Sequence, residues 1–93
     1  MANDGVLDIL LVEDNKYDEK LTLRALARYN LANSIQVVRD GAAAIDVILG
    51  STQAPKVILL DIKLPKVDGL EVLRRIRTDP RSARLPVVML TSS

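Results

Sequence analysis

Three acidic residues stand where their carboxylates could act together. Glu13 and Asp14 directly follow an apolar stretch that ends at Val12, and Asp61 closes the apolar run 57–60. Such short apolar runs are typical of strands buried in a parallel sheet. Loop positions past the carboxyl ends of neighbouring parallel strands lie close together, and open α/β sheets bind their ligands there. Carboxylates gathered at that edge repel one another unless a cation joins them.

The chemistry available to this set is phosphoryl transfer assisted by a divalent cation. Oxygen donors in a chain that contains no histidine and no cysteine favour Mg²⁺ or Mn²⁺ and disfavour zinc. A cation beside Asp61 would offset the charge of an incoming phosphoryl group and orient attack by the carboxylate. We therefore predict that Asp61 is a nucleophile that accepts a phosphoryl group.

Alternating strands and helices are predicted to position these residues. The predicted strands are 6–12, 35–38, 57–61 and 86–91, and the predicted helices are 16–30, 41–50 and 68–78. The first helix is expected to present a broad apolar face, with Asn15 as its candidate cap, and Gly50 is expected to end the second helix. Asp68 and Glu71 form a capping box at the start of the third helix, where Gly69 is expected to serve loop geometry. The βαβαβαβ order predicts a parallel sheet with right-handed crossovers and helices on both faces.

Composition restricts the remaining possibilities. The chain has 93 residues, enough for one domain, with 48% hydrophobic and 27% charged residues. A net charge of +1 and an aromatic content of 2% give no sign of a nucleic-acid partner. The polar start of the chain does not resemble a signal peptide, and its apolar runs are too short to span a membrane. We therefore expect a soluble, cytoplasmic protein.

The sequence resembles the receiver domain of two-component response regulators. The matching segments are 10–15, Asp40-Gly41, 59–73 and 86–91, in the order and at about the spacing that the family shows. They span nearly the whole chain, and together they are far more specific than any one of them alone. The segment 64–73 is also similar to small receivers that partner phytochrome-type kinases.

This resemblance implies a flavodoxin-like, doubly wound α/β fold with strand order 2-1-3-4-5. It implies that Asp61 takes a phosphoryl group from a phosphohistidine on a sensor histidine kinase or a phosphotransfer protein. Asp14 would bind Mg²⁺ (or Mn²⁺) directly, Glu13 would hold metal-bound water, and the backbone carbonyl of Lys63 would be a further ligand. Thr91 would supply the hydroxyl that responds to phosphorylation.

The chain also departs from the family pattern. Receivers continue with a fourth helix, a fifth strand that ends in a lysine, and a fifth helix, and none of these has a counterpart here. The expectation is a single domain, 1–93, that is a receiver truncated after its fourth strand, with strand order 2-1-3-4 and impaired switching. The uncovered fourth strand, Val87 to Leu90, would then favour a homo-oligomer or a domain swap.

Other functions remain open at this point. A phosphohydrolase of the haloacid-dehalogenase type also uses a strand-end aspartate, but it needs a second acid where Lys63 stands. Flavin or dinucleotide binding lacks its phosphate-binding loop after the first strand. An inactive structural or folding fragment of a receiver is the third alternative. In none of the receiver interpretations is the chain an enzyme, beyond accepting a phosphoryl group from a donor.

Overall fold

Strands and helices alternate along the chain as predicted. The computed structural model describes residues 8–29, 34–50, 55–64 and 69–90. Its strands are β1 (Ile9–Val12), β2 (Ile35–Val38), β3 (Val57–Asp61) and β4 (Val87–Leu90), and its helices are α1 (Lys16–Arg28), α2 (Gly41–Gly50) and α3 (Gly69–Thr78). The predicted Asp68 cap, the strand residue Thr91 and the predicted helix end at Asn30 lie outside the described residues.

The four strands form one parallel sheet in the order β2-β1-β3-β4. The register places Val12 of β1 opposite Val38 of β2 and Leu60 of β3, and it places Asp61 opposite Leu90 of β4. This order confirms the predicted flavodoxin-like arrangement. Because β1 and β3 are neighbours, the residues that follow them meet at the same edge of the sheet.

Handedness distributes the helices over the two faces. The chain steps from β1 to β2 in one direction and then from β2 to β3 and β4 in the other. Right-handed crossovers therefore put α1 on one face and both α2 and α3 on the opposite face. The main core lies between the sheet and the α2–α3 layer; its buried members are Leu10, Val12, Val38, Ala44, Ile48, Ile58, Leu60, Leu64, Val72 and Ile76.

Helix α1 buries less surface than the sequence predicted. Leu26 is the buried residue of this helix, whereas Tyr17 is 69% exposed and Leu21 is 45% exposed. The expected broad apolar face is therefore wrong for α1. A helix that has no helical neighbour on its side of a sheet contacts that sheet along one narrow stripe, and α1 has none among the described elements.

Helix ends follow the sequence signals. The Asn15 side chain accepts hydrogen bonds from the N–H groups of Tyr17 (2.8 Å) and Asp18 (3.0 Å), which confirms it as the cap of α1. Asp40 caps α2 in the same way through the N–H of Ala43 (2.8 Å). Gly50, expected to end α2, is its last helical residue, which confirms the prediction.

In the described ranges, every helix is too short or too polar to cross a bilayer.

Candidate functional site

Asp61 is the last residue of β3 and is buried, with 4% of its surface exposed. Pairing with β4 continues just past it, since the N–H of Ile62 donates to the carbonyl oxygen of Leu90 (3.2 Å). The Asp61 Oδ1 atom accepts the N–H of Lys63 at 3.1 Å. This hydrogen bond fixes the orientation of the carboxylate.

Glu13 follows β1 at the same edge of the sheet and is also buried, with 3% of its surface exposed. Its N–H donates to the carbonyl oxygen of Val38 (3.0 Å), so its main chain is held against β2. Its Oε2 atom accepts the N–H of Asn15 at 3.2 Å. The turn between β1 and α1 is thereby folded around the Glu13 side chain.

The carboxyl groups of Glu13 and Asp61 lie close enough to raise the pKa of Glu13. Two carboxyl groups can share a hydrogen bond only when one of them carries a proton. Burial, the hydrogen bond to Asp61 and the negative charges of Asp61 and Asp18 raise the pKa of Glu13 to about 7, although the Asn15 N–H opposes the shift. Near neutral pH the Glu13 carboxyl group is therefore protonated in a large part of the molecules.

The structure brings two of the three predicted carboxylates together. Asp14 is exposed, and within the described part of the chain no three acidic, histidine or cysteine side chains are arranged to hold a metal ion. Two carboxyl groups can share one proton, whereas a third carboxylate at the same point would only add electrostatic repulsion. The Lys63 side chain is exposed as expected, but the metal roles of Asp14 and of the Lys63 carbonyl stay predictions. Thr91 lies outside the described residues.

Helix α3 begins in direct contact with the backbone at Asp61. The Gly69 N–H donates to the carbonyl oxygen of Ile62 at 3.0 Å. A Cβ atom at Gly69 would stand 2.4 Å from the carbonyl oxygen of Asp61 and 2.7 Å from the Cα atom of Ile62. The sequence predicted only that Gly69 serves loop geometry. The structure assigns it a sharper role, because a larger residue would displace the strand end that carries Asp61.

Sequence reasoning missed Arg39, which follows β2. Its Nη1 atom donates to the Glu19 side chain on α1 and to the main-chain oxygen of Glu13 (3.5 Å). The signal was present in the sequence, since a cation directly after β2 must lie beside the residues that follow β1 in a parallel pair. Only the strand order identifies those two strands as neighbours.

Comparison with known proteins agrees with this geometry. Residues 9–93 match the family model described as the response regulator receiver domain. The probable methanogenesis regulatory protein FilR2 of Methanothrix harundinacea is 45% identical over 89 residues, which cover 91% of this chain and 57% of FilR2. The response regulator Rcp1 of Synechocystis sp. is 41% identical over 90 residues, which cover 91% of this chain and 61% of Rcp1.

Solved structures give the same result. The bacteriophytochrome response regulator RtBRR superposes with a TM-score of 0.89 at 52% identity, over 95% of this chain and 57% of RtBRR. The Mn²⁺-bound form of Rcp1 superposes with a TM-score of 0.84 at 40% identity, over 94% of this chain and 66% of Rcp1. The predicted likeness to phytochrome-associated receivers is therefore confirmed.

The chain spans about three fifths of the length of FilR2 and of Rcp1. What the superposed structures share with this chain is the fold of its four-stranded parallel sheet and three helices. The match to the family model takes in nearly all of the chain, and relatives of bacterial and archaeal origin agree with it. The chain belongs to the response regulator receiver domain family.

Proposed function

We propose that this chain is the phosphoryl-accepting receiver of a histidine-to-aspartate phosphorelay, with Asp61 as the acceptor. The observation that carries the proposal is the pair of buried carboxyl groups, Glu13 and Asp61, close together at the carboxyl edge of the sheet. Asp61 is the carboxylate that would act as the nucleophile, because it ends β3 and the Lys63 N–H holds its side chain in a fixed orientation.

The transfer consists of one displacement at phosphorus. An ionised oxygen of Asp61 attacks the phosphorus atom of a phosphohistidine, and an O–P bond forms. The P–N bond breaks, and its electron pair returns to the imidazole nitrogen of the donor. The products are an aspartyl phosphate on this chain and a free histidine on the donor. The Lys63 N–H holds the acceptor carboxylate in place during the attack.

The donor set fits a divalent cation. Mg²⁺ takes one or two protein carboxylates and keeps several waters. Two neighbouring carboxylates are therefore sufficient to bind it, without a third carboxylate in contact with them. Glu13 and Asp61 would hold the cation together with Asp14 and the carbonyl oxygen of Lys63. When bound, Mg²⁺ or Mn²⁺ would offset the charge that the carboxylates and the phosphoryl group bring together.

Phosphorylation by a small phosphodonor tests the proposal. With the donor and Mg²⁺, the chain should gain the mass of one phosphoryl group, measured on the intact protein. The Asp61→Asn variant should gain none. Asp46→Asn is the matched control, because Asp46 is an exposed aspartate on α2, and it should react like the parent chain. Labelling of Asp61→Asn at the parent level would contradict the assignment.

The remaining roles belong to the same proposal. The Thr91 hydroxyl would bind a phosphoryl oxygen and report the phosphorylated state. Receivers interact with sensor kinases or phosphotransfer proteins, and a sensor histidine kinase or a phosphotransfer protein is the partner proposed here, with this chain located in the cytoplasm. The chain would act as a signalling domain rather than an enzyme. Lys63 supports this view, because a phosphohydrolase of the competing type requires an acid at that position.

Self-association through β4 is a second candidate. β4 is an edge strand, and its Val88 is 48% exposed. If β4 pairs with a second chain, Val88→Lys should lower the average mass in solution, measured by light scattering over a concentration series. Gln36→Lys changes an exposed residue of the opposite edge strand, β2, and serves as the control. A parent chain that is monomeric throughout the series would remove this candidate.

A further inference from the structure

Arg39 connects three parts of the chain that surround the acidic site. It is the first residue after β2, and its Nη1 atom lies between the Glu19 carboxylate and the main-chain oxygen of Glu13. Glu19 stands in the first turn of α1. One side chain therefore contacts the start of the turn that joins β1 to α1 and the first turn of the helix that follows it.

The turn is held at each end by the main chain. At its start, the Glu13 N–H donates to the carbonyl oxygen of Val38 (3.0 Å), and at its end, the Glu19 N–H donates to the carbonyl oxygen of Asn15 (2.9 Å). The Glu13 carbonyl and the exposed Asp14 lie between these two hydrogen bonds. Arg39 is the described side chain that spans this gap.

We propose that Arg39 is a positioning residue for the acidic site: it holds the Glu13 main chain against β2 so that the acids of the turn meet Asp61 in the arrangement that a divalent cation needs. This role rests on the proposed function. Arg39 acts through position rather than through its charge, because Glu19 already neutralises that charge.

Cation binding by Arg39→Ala tests the role. Mn²⁺ is the probe, and its affinity is measured by titration calorimetry or by the paramagnetic resonance of the free ion. We expect the dissociation constant to rise roughly three- to tenfold, at or below the low end of what the loss of a group supporting a metal ligand costs. The melting temperature should change little, since Arg39 is half-exposed and an exposed ion pair contributes little to stability.

The opposite end of the sheet supplies a matched control. Lys56 pairs with Asp8 at 3.4 Å, and the Asp8 side chain is 15% exposed, against 16% for Glu19. Lys56→Ala therefore removes a cation from a similarly placed carboxylate, far from the acids. It should leave Mn²⁺ affinity unchanged. An equal loss of affinity in both variants would reduce the effect of Arg39 to general electrostatics or stability and would overturn the proposal.

Reversing the pair separates position from charge. Arg39→Glu alone should weaken Mn²⁺ binding more than Arg39→Ala, because it adds a negative charge without a partner. Combining it with Glu19→Arg re-forms the ion pair with the same net charge, but a carboxylate at position 39 cannot donate to the Glu13 carbonyl oxygen, so the affinity should stay below that of the parent chain. Full recovery in the reversed pair, or parent-like affinity in Arg39→Ala, removes the positioning role alone. A parent chain that binds no Mn²⁺ removes the proposed function and this role with it.

Discussion

The two ends of the sheet treat their charged groups in opposite ways. At the carboxyl end, Glu13 and Asp61 bury two carboxyl groups against each other. At the amino end, where the chain enters β3 and β4, carboxylates are matched by cations: Asp8 pairs with Lys56 at 3.4 Å, and Asp79 pairs with Arg81 at 2.9 Å.

Arginines also bind main-chain carbonyl groups at the amino end. At the amino end, Arg77 donates to the carbonyl oxygens of Ala83 (2.9 Å) and Leu85 (2.7 Å), and Arg81 donates to that of Leu49 (3.2 Å). The amino end is thus organised for stability, whereas the carboxyl end keeps like charges close at a cost to folding. That cost is typical of a site that serves binding or catalysis.

The largest expected effect comes from two glycines, one at each end. Gly69→Ala would drive a methyl group to 2.4 Å from the Asp61 carbonyl oxygen, and because the obstacle is backbone, the strand end must shift. We expect a loss of about 3 kcal/mol in the free energy of unfolding, the upper range for overpacking. Gly50 ends α2 at the amino end, with nothing within 4 Å of an added Cβ. Gly50→Ala should be neutral or stabilise by up to about 1 kcal/mol.

Urea denaturation of both glycine variants measures this difference. If the two variants lost the same free energy of unfolding, the close approach of the Asp61 backbone to Gly69 would not constrain the carboxyl end of the sheet. The two ends would then not differ in their tolerance of a larger residue.

The next effect is the pH dependence that Glu13 imposes. Its pKa is 4.5 when exposed and about 7 when folded, so between these values the folded state binds more protons than the unfolded state. Stability therefore falls as the pH rises from 4.5 to 7, by at most about 3 kcal/mol, and stays lower above that range. Glu13→Gln keeps the size and hydrogen-bonding capacity of the side chain but cannot ionise.

The Glu13→Gln variant should be more stable than the parent chain at pH 8 and should lose most of this slope. Urea denaturation at several pH values checks both points, without added divalent cation. An unchanged slope would mean that the two carboxyl groups do not oppose folding, and the carboxyl end would then resemble the amino end.

Much of the fold could be predicted from the sequence, because short apolar runs and helix caps are local signals. β2 and β3 have the predicted bounds, and Asn15 caps α1 as expected. The apolar face of α1 was overestimated, since burial of Leu21 depends on what lies beside the helix rather than on spacing within it. Local sequence patterns indicate which surface of a helix could be buried. Packing against the neighbouring elements determines which surface is buried.

The candidate site was predictable in part for the same reason. Glu13 and Asp61 each end a strand, so their meeting follows from strand order. Arg39 gave no local sign of its contact with Glu13, because that contact joins residues 26 positions apart. The close approach at Gly69 depends likewise on where α3 begins above the sheet, which spacing alone does not determine.

Ser82 tests the amino end at a smaller scale. It is 1% exposed, and its hydroxyl donates to the carbonyl oxygen of Ile76 at 2.8 Å, which ties the turn before β4 to the last turn of α3. Ser82→Ala should cost about 1 kcal/mol, the usual worth of one buried hydrogen bond, and denaturation in urea measures it. Val87→Ala would be a poor control, since it removes core volume. Ser82→Cys is the better control, because its side chain is similar in size and differs mainly in being a weaker hydrogen-bond donor. Equal stability of the serine and alanine forms would show that this bond contributes nothing.

The smallest effect should come from Asp79, and it has the opposite sign to that of Glu13. Hydrogen bonds from the Arg81 side chain and N–H hold the pKa of Asp79 below its ordinary value of 3.8. The ionised Asp79 carboxylate therefore stabilises the fold above pH 3.8, and this stabilisation is lost as the pH falls through the lower pKa of the folded state.

Asp79→Asn keeps an acceptor for the Arg81 N–H and removes only the charge. Its melting temperature should lie slightly below that of the parent chain at pH 7, and the difference should shrink in high salt and vanish in strong acid. Should Asp79→Asn instead raise the melting temperature at pH 7, as Glu13→Gln is expected to do, carboxylates would oppose folding at both ends of the sheet.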